Sequence, residues 1–346
     1  MNLLFPRDLK GLFKALAEPG ARVLAGGTDL LVRLRATPLA AANAPEQAEG
    51  AEVLTLVSLD RLAALRGIVE DSKAETRDAG PGNLHRTLRI GAATTHAELL
   101  AHPLVRARLP VLAAALAELG SPPIRNVATL GGNICTASPA GDSLPPLLVL
   151  GAEVELASAA GVRRMALAEF ILGPGRTAFT PGEVLLAVHV PLPAVGCVQH
   201  FEKVGRRSAL AVAVVSLAAL VRLDRRGRIA GARLAWGSVA PTVWRCPEAE
   251  AALVGRRLSL TALNEAAAIV RARVQPIGDI RASAAYRREV AGNLLLRLAV
   301  LPGSRPPAHQ HQREIARLVR HVIEPGDDLL ALMPQAGDEH GGVGQI

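Results

Sequence analysis

Two glycine pairs, Gly26-Gly27 and Gly131-Gly132, are the positions in this 346-residue chain best suited to chemistry. Each follows an apolar stretch. Each is flanked by small hydroxyl or amide residues, Thr28 beside the first pair and Thr129 and Asn133 beside the second. A glycine pair lets the backbone approach a ligand closely and turn its N–H groups into a concavity. Two such loops suit the two halves of a pyrophosphate without a lysine. Neither is a Walker A loop, because no Gly-Lys-Ser/Thr follows. Taken singly, each pair is also an ordinary tight turn.

Thr136, Ser138 and Asp142 follow the second pair, with Pro139 and Gly141 between them. Small donors and one carboxylate suit the hydroxyls of a ribityl or ribose chain, and equally suit turn capping. Lys203 is one of four lysines and precedes an apolar run. A cation there would favour negative charge developing on a redox ring, while local context alone reads as a solvated surface lysine. Gly173-Pro174-Gly175-Arg176-Thr177-Ala178 matches the dinucleotide fingerprint in letters only. Pro174 sits in the turn and no βαβ unit follows. His309 and His311 lack a third ligand nearby, so no metal site is expected. No Gly-x-Ser-x-Gly or His-Glu-x-x-His occurs, which leaves hydrolase readings unsupported.

The elements that must position these residues are legible in outline. Leu9, Leu12, Phe13 and Leu16 give one apolar helical face, stopped at Pro19-Gly20. Val23–Ala25, Val53–Val57 and Leu88–Gly91 read as strands, as does the apolar run Leu147–Leu156. Val105, Leu109, Leu112, Leu116 and Leu119 form a second helical stripe. Ala36–Gly50 reads as an irregular insertion and Asp71–Arg86 as a polar loop. The stretches 209–223 and 229–239 flank a turn at Asp224–Gly227, a hairpin pattern. Helices are expected over Leu260–Val274 and through Tyr286, Val290, Leu294 and Leu298. A boundary is expected near Gly173–Gly175.

Composition narrows the class. Half of the residues are apolar and a fifth charged, a globular balance. The formal charge is +8, carried by scattered arginines, and only 2% of residues are aromatic, so no nucleic-acid partner is expected. The three cysteines, Cys135, Cys197 and Cys246, form no Cys-x-x-Cys motif and suit a reducing compartment. The first residues carry no apolar signal region. The longest apolar run is about 13 residues, short of the roughly 20 that span a bilayer. A cytoplasmic protein without a membrane span is expected.

The segments Ala25-Gly26-Gly27-Thr28-Asp29-Leu30-Leu31 and Ala128-Thr129-Leu130-Gly131-Gly132-Asn133-Ile134-Cys135-Thr136-Ala137-Ser138-Pro139 resemble the two flavin-binding signatures of the FAD (medium) subunit of molybdenum hydroxylases. That is the xanthine dehydrogenase and carbon monoxide dehydrogenase family. The likeness continues through Ala140–Pro146, Gly173–Thr177, Pro181–Leu186, Lys203–Arg207, Gly237–Pro241 and Asp279–Arg288, and covers roughly Phe5 to Leu301.

The resemblance implies an α+β fold. A two-subdomain FAD-binding fold of the PCMH type (1–172) is followed by a smaller α+β domain (173–301) that closes over the flavin, and then by a tail of low order (302–346). It implies that Leu24, Ala25, Gly26, Gly27, Thr28 and Asp29, with Thr129, Leu130, Gly131, Gly132 and Asn133, surround the FAD pyrophosphate. Thr136 and Asp142 would lie along the same cofactor and Lys203 near its ring, with no catalytic acid or base. The implied partners are an iron–sulfur subunit with two 2Fe–2S clusters and a large molybdopterin-binding subunit, as a dimer of heterotrimers. Electrons would pass through FAD to an acceptor such as NAD. A self-contained FAD oxidoreductase and an assembly protein that has lost flavin are the alternatives. The cysteine-rich insertion of the 4-hydroxybenzoyl-CoA reductase flavin subunit is absent.

Overall fold

The structure is a computed structural model that describes residues 1–41, 54–71, 86–207 and 210–300. The insertion beyond residue 41, the polar loop over 72–85 and the tail expected from 302 lie outside the described residues.

The chain opens with β1 (Asn2–Leu4), α1 (Leu9–Leu16), β2 (Ala21–Leu24), α2 (Leu30–Ala41) and β3 (Thr55–Ser58). The three strands pair in parallel in the order β1-β3-β2, so the fully buried β3 is central. Asp8 caps α1 by accepting the Gly11 amide at 2.7 Å, and Leu12 anchors its apolar face. The expected insertion from Ala36 differs in its first part, because α2 runs on to Ala41.

A second, five-stranded antiparallel sheet follows. Its strands are β4 (Ile68–Asp71), β5 (Thr87–Gly91), β6 (Glu153–Ser158), β7 (Gly161–Ala166) and β10 (Val184–Pro191). The order is β4-β5-β10-β6-β7. Between β5 and β6 lie six short helices: α3 (His96–Ala101), α4 (Pro103–Arg108), α5 (Pro110–Glu118), α6 (Pro122–Val127), α7 (Leu130–Thr136) and α8 (Leu144–Val149). After β7 come α9 (Leu167–Phe170) and a small pair, β8 (Ile171–Gly173) and β9 (Arg176–Thr177). The stretch after Gly173 was expected to open the next domain, yet it returns β10 to the middle of this sheet. Val184–Val190 is buried throughout, as a strand flanked on both sides and covered on both faces requires.

Three expectations change here. The stripe from Val105 to Leu119 is two helices, because Pro110 lacks an amide and drives Leu109 out of the helical region (φ −125°, ψ 50°). The apolar run from Leu147 starts inside α8, turns at Gly151 (φ +71°) and becomes a strand at Glu153. Apolar runs alone do not separate a buried helix from a buried strand. Finally, Thr129–Ile134 is not a loop but the start of α7, with Thr129 as its cap.

The last unit is a four-stranded antiparallel sheet of β11 (Val198–Val204), β12 (Val215–Leu223), β13 (Ile229–Gly237) and β14 (Trp244–Arg245). It packs with α10 (Pro247–Leu253), α11 (Leu260–Arg273) and α12 (Ala284–Leu296) around their own apolar core. The hairpin is as expected: Asp224 accepts the amides of Arg226 and Arg228 at 2.8 Å each, and Gly227 takes φ +70°. Buried Trp236 donates to the Ala291 carbonyl at 2.9 Å, tying sheet to helix. Buried Arg287 donates to the carbonyls of Val214 and Ser238 and to Asp279. The unit docks on the rest through β11 against α5 and through β12 and β13 against α8. Among the described residues no helix is long and apolar enough to cross a membrane.

Candidate cofactor cleft

The strand-to-helix turn between β2 and α2 carries the first glycine pair, and the cap and first turn of α7 carry the second. Both line one cleft of about 690 Å³. Thr136 Oγ1 donates to Asp29 Oδ2 at 3.2 Å, linking the two segments directly, and Arg33 pairs with the same carboxylate at 2.8 Å.

The glycines divide their work. A Cβ on Gly26 would lie 1.9 Å from the Val127 carbonyl oxygen, and one on Gly131 would lie 2.7 Å from Ala92. These two allow chain segments to touch each other. Gly27 adopts φ +69°, the left-handed turn that feeds α2. Only Gly132 has mainly open space before it, with Ala25 4.0 Å away and its own cap residue Thr129 at 3.0 Å.

The expectation that both segments offer free amides holds for one. The amides of Ala25, Gly26, Gly27, Thr28 and Asp29 have no partner among the described residues. A turn of unpaired N–H groups leading into a helix N-terminus is an anion cradle. In the second segment, Leu130 donates to Thr94, Gly131 to Ala92, and Gly132 and Asn133 to Thr129. Those amides are spent on folding. That segment offers the cleft the bare surface of Gly132 and the side chains of Asn133 and Thr136. Ser143 donates to Asn133 Oδ1 at 2.6 Å, orienting the amide.

Asp142 also lines the cleft. Its Oδ2 accepts from Lys203 Nζ at 2.8 Å, while its Oδ1 is buried without a partner among the described residues. Burial raises the Asp142 carboxyl to about 6, against the opposing pull of the Lys203 charge. Lys203 is not a surface residue: its side chain is 5% exposed, and Nζ also holds the Glu118 carbonyl at 2.9 Å. It stands behind Asp142 and lines a neighbouring cavity rather than the cleft. Leu24 and Leu130 also stand off the cleft wall, Leu130 wholly in the core.

His96, which the sequence reading missed, lines the cleft with both ring nitrogens buried and without a partner among the described residues. Burial, with Arg125 nearby, lowers its pKa to about 4, so it is neutral. The one signal was the capping box Thr95-x-x-Glu98, which fixes the start of α3. Cys135 sits on the same wall, its thiol pushed up to about 12 by burial. An open cradle for an anion, an unsatisfied carboxylate oxygen and oriented amide and hydroxyl groups make a site for a phosphorylated polyol. They suit FAD.

Fold and cleft together define a flavin-binding chain of two α+β units, and comparison with known proteins gives the family. Residues 1–193 match the FAD binding domain in molybdopterin dehydrogenase, and residues 199–300 match the CO dehydrogenase flavoprotein C-terminal domain. The chain is 35% identical over 275 residues to the xanthine dehydrogenase FAD-binding subunit of Escherichia coli O157:H7, covering 78% of this chain and 84% of that one. It is 32% identical to the carbon monoxide dehydrogenase medium chain of Afipia carboxidovorans, covering 84% and 91%. Reconstituted CO dehydrogenase from Oligotropha carboxidovorans aligns in structure with a TM-score of 0.75 at 28% identity, over 88% of this chain and 98% of that chain. Quinoline 2-oxidoreductase from Pseudomonas putida 86 aligns with a TM-score of 0.72 at 27% identity, over 93% and 98%. The chain belongs to the FAD-binding subunits of the molybdenum hydroxylases: it is an oxidoreductase subunit, and its cofactor is FAD.

Proposed function

We propose that this chain is the electron-transferring flavin subunit of a cytoplasmic molybdenum hydroxylase. It receives electrons from a partner subunit with two 2Fe–2S clusters and delivers them to an external acceptor such as NAD. Substrate is oxidised at a molybdopterin-bearing third subunit, and the assembly is a dimer of heterotrimers. FAD, when bound, supplies the change between two-electron and one-electron chemistry.

The observation that carries this reading is the Thr136–Asp29 hydrogen bond, which closes two distant sequence signatures around one cleft with unpaired amides on its first wall. In this assignment the amides of Ala25–Asp29 hold the pyrophosphate. Gly132 gives it room, and Asn133, Thr136 and Asp142 Oδ1 take hydroxyls of the sugar and ribityl chains. Lys203 fixes Asp142 in its charged form and joins the two units. We place the units' junction between β10 and β11, past the stretch from 173 that the sequence assigned to the second. The sequence holds three cysteines, and one 2Fe–2S cluster takes four ligands. A partner must therefore supply the clusters.

The test is reconstitution. Substrate-dependent flavin reduction should be absent with this chain alone and appear when iron–sulfur and molybdenum subunits are added. Rapid reduction of the isolated chain by substrate would favour a self-contained oxidoreductase instead.

A further inference from the structure

Asp142 meets two charged groups from outside its own loop. β11 presents Lys203, whose ammonium lies 2.8 Å from Oδ2, and α5 presents Glu118. The Glu118 carbonyl takes a second hydrogen bond from the same ammonium at 2.9 Å, and its carboxylate repels Asp142. Glu118 is exposed, so the three groups run from the cleft wall to a carboxylate in water. A carboxylate beside an ammonium is ordinarily held below its usual range. Asp142 is not. It is 8% exposed, its Oδ1 has no partner among the described residues, and burial outweighs the lysine, leaving the carboxyl at about 6.

The other titratable groups on the cleft wall are differently placed. Hydrogen bonds from Arg163 hold Glu183 down at about 2. Burial lowers His96 to about 4 and raises the Cys135 thiol to about 12. Asp29 faces water and pairs with Arg33 at 2.8 Å. Electrons entering a flavin bring negative charge into this cleft, and negative charge favours the neutral form of a nearby carboxyl. Asp142 answers with the smallest change, because near neutral pH it already stands close to its titration point. Protonation also breaks no contact. A carboxylic O–H and a cofactor hydroxyl each donate and accept, so Oδ1 serves the same hydroxyl in either state, and Oδ2 stays on Lys203.

We propose that Asp142 takes up a proton when the flavin of this cleft is reduced and releases it on reoxidation. The electrons come from the reductant. The proton comes from solvent and forms one O–H bond on the Asp142 carboxylate. The proposal rests on the cleft holding FAD.

The experiment is spectroelectrochemical titration of the FAD-loaded full chain across the pH range, in parent, Asp142→Asn and Glu118→Gln, with FAD in excess. Each proton taken up with two electrons steepens the fall of the midpoint potential by about 30 mV per pH unit. Below about 6, Asp142 holds its proton in both redox states and adds nothing. Above it the reduced protein binds one proton more than the oxidised. The parent should therefore fall about 30 mV per pH unit more steeply than Asp142→Asn in that window. The reduced-minus-oxidised infrared spectrum of the parent should there show a carboxylic acid carbonyl band that shifts in deuterium oxide and is missing from Asp142→Asn. Glu118→Gln, at an exposed position, removes a repulsion and should move the onset of the extra slope to lower pH. It decides the matter if Asp142→Asn fails to hold flavin. Parallel slopes in parent and Asp142→Asn would overturn the proposal, as would an unmoved onset in Glu118→Gln or a parent without the infrared band. A parent that takes up no FAD, read by visible absorbance, would overturn the cleft assignment itself and this proposal with it.

Discussion

Asp142 is a buried carboxylate with one oxygen bound and one waiting. Oδ2 is committed to Lys203, and Oδ1 has no partner among the described residues. A hydrogen bond to a charged group contributes about 1.5–3 kcal/mol, so Asp142→Asn should weaken FAD binding roughly ten- to hundredfold. Flavin fluorescence titration reads this directly, and unchanged affinity would reduce Asp142 to a structural residue. Its protonation adds a second readout. The folded chain holds this proton up to about 6, the unfolded chain only to 3.8. Between those values the folded state binds more protons, so the residue's contribution to stability falls as pH rises through the window and is level above it. Urea unfolding across the window should show that slope in the parent and lose it in Asp142→Asn.

At the scale of elements, the glycine pairs are joints as much as ligand surfaces. Gly26→Ala drives a methyl into the Val127 carbonyl, where both sides are backbone and neither yields. Overpacking of this kind costs about 1–3 kcal/mol or more, and chemical denaturation should show it. Gly132→Val faces the cleft, so circular dichroism should report a folded protein while flavin absorbance reports an apoprotein. Stoichiometric FAD in that variant would overturn the placement of the cofactor. The central sheet carries its own charge cluster. Glu155 on β6 meets His189 on β10 at 2.6 Å, Arg89 on β5 at 3.2 Å and Arg164 on β7 at 3.0 Å. The His189 hydrogen bond, opposed by burial and aided by the Arg89 charge, lowers Glu155 from 4.5 to about 2. Its contribution to stability is therefore full above 4.5 and is lost as pH falls toward 2. Glu155→Gln should destabilise the chain by about 1–3 kcal/mol at neutral pH, chiefly by leaving buried His189 without its carboxylate, since Arg89 and Arg164 stay partly solvated. It should also flatten the acid limb of the unfolding profile.

Over the whole molecule, Lys203 is a buried charged link between the units, reaching from β11 to Asp142 and to the end of α5. Lys203→Met keeps the bulk of the side chain and leaves Asp142 buried without its counter-charge. Losing one member of a buried pair typically costs about 3–5 kcal/mol. Calorimetry should show a lower unfolding midpoint, with the two units melting apart, and FAD affinity should fall although Lys203 lies off the cleft. A variant that melts as the parent does and retains full FAD affinity would remove Lys203 from the interface argument.

The sequence by itself determined the family-bearing segments, the hairpin around Asp224, the first helix and the helices after Leu260. These are features whose cause is local: a turn residue, a cap, a periodic face. It also determined that Gly26-Gly27 and Gly131-Gly132 matter. Only tertiary structure decided why. Whether a glycine admits a ligand or another strand depends on what stands opposite, and Val127 and Ala92 are distant in sequence from Gly26 and Gly131. The same reason hid the cap of α7, which spends the second segment's amides internally, and the burial of Lys203, which its neighbours in sequence do not reveal. His96 was out of reach for that cause as well. Its character comes from desolvation, which arises only when remote segments pack.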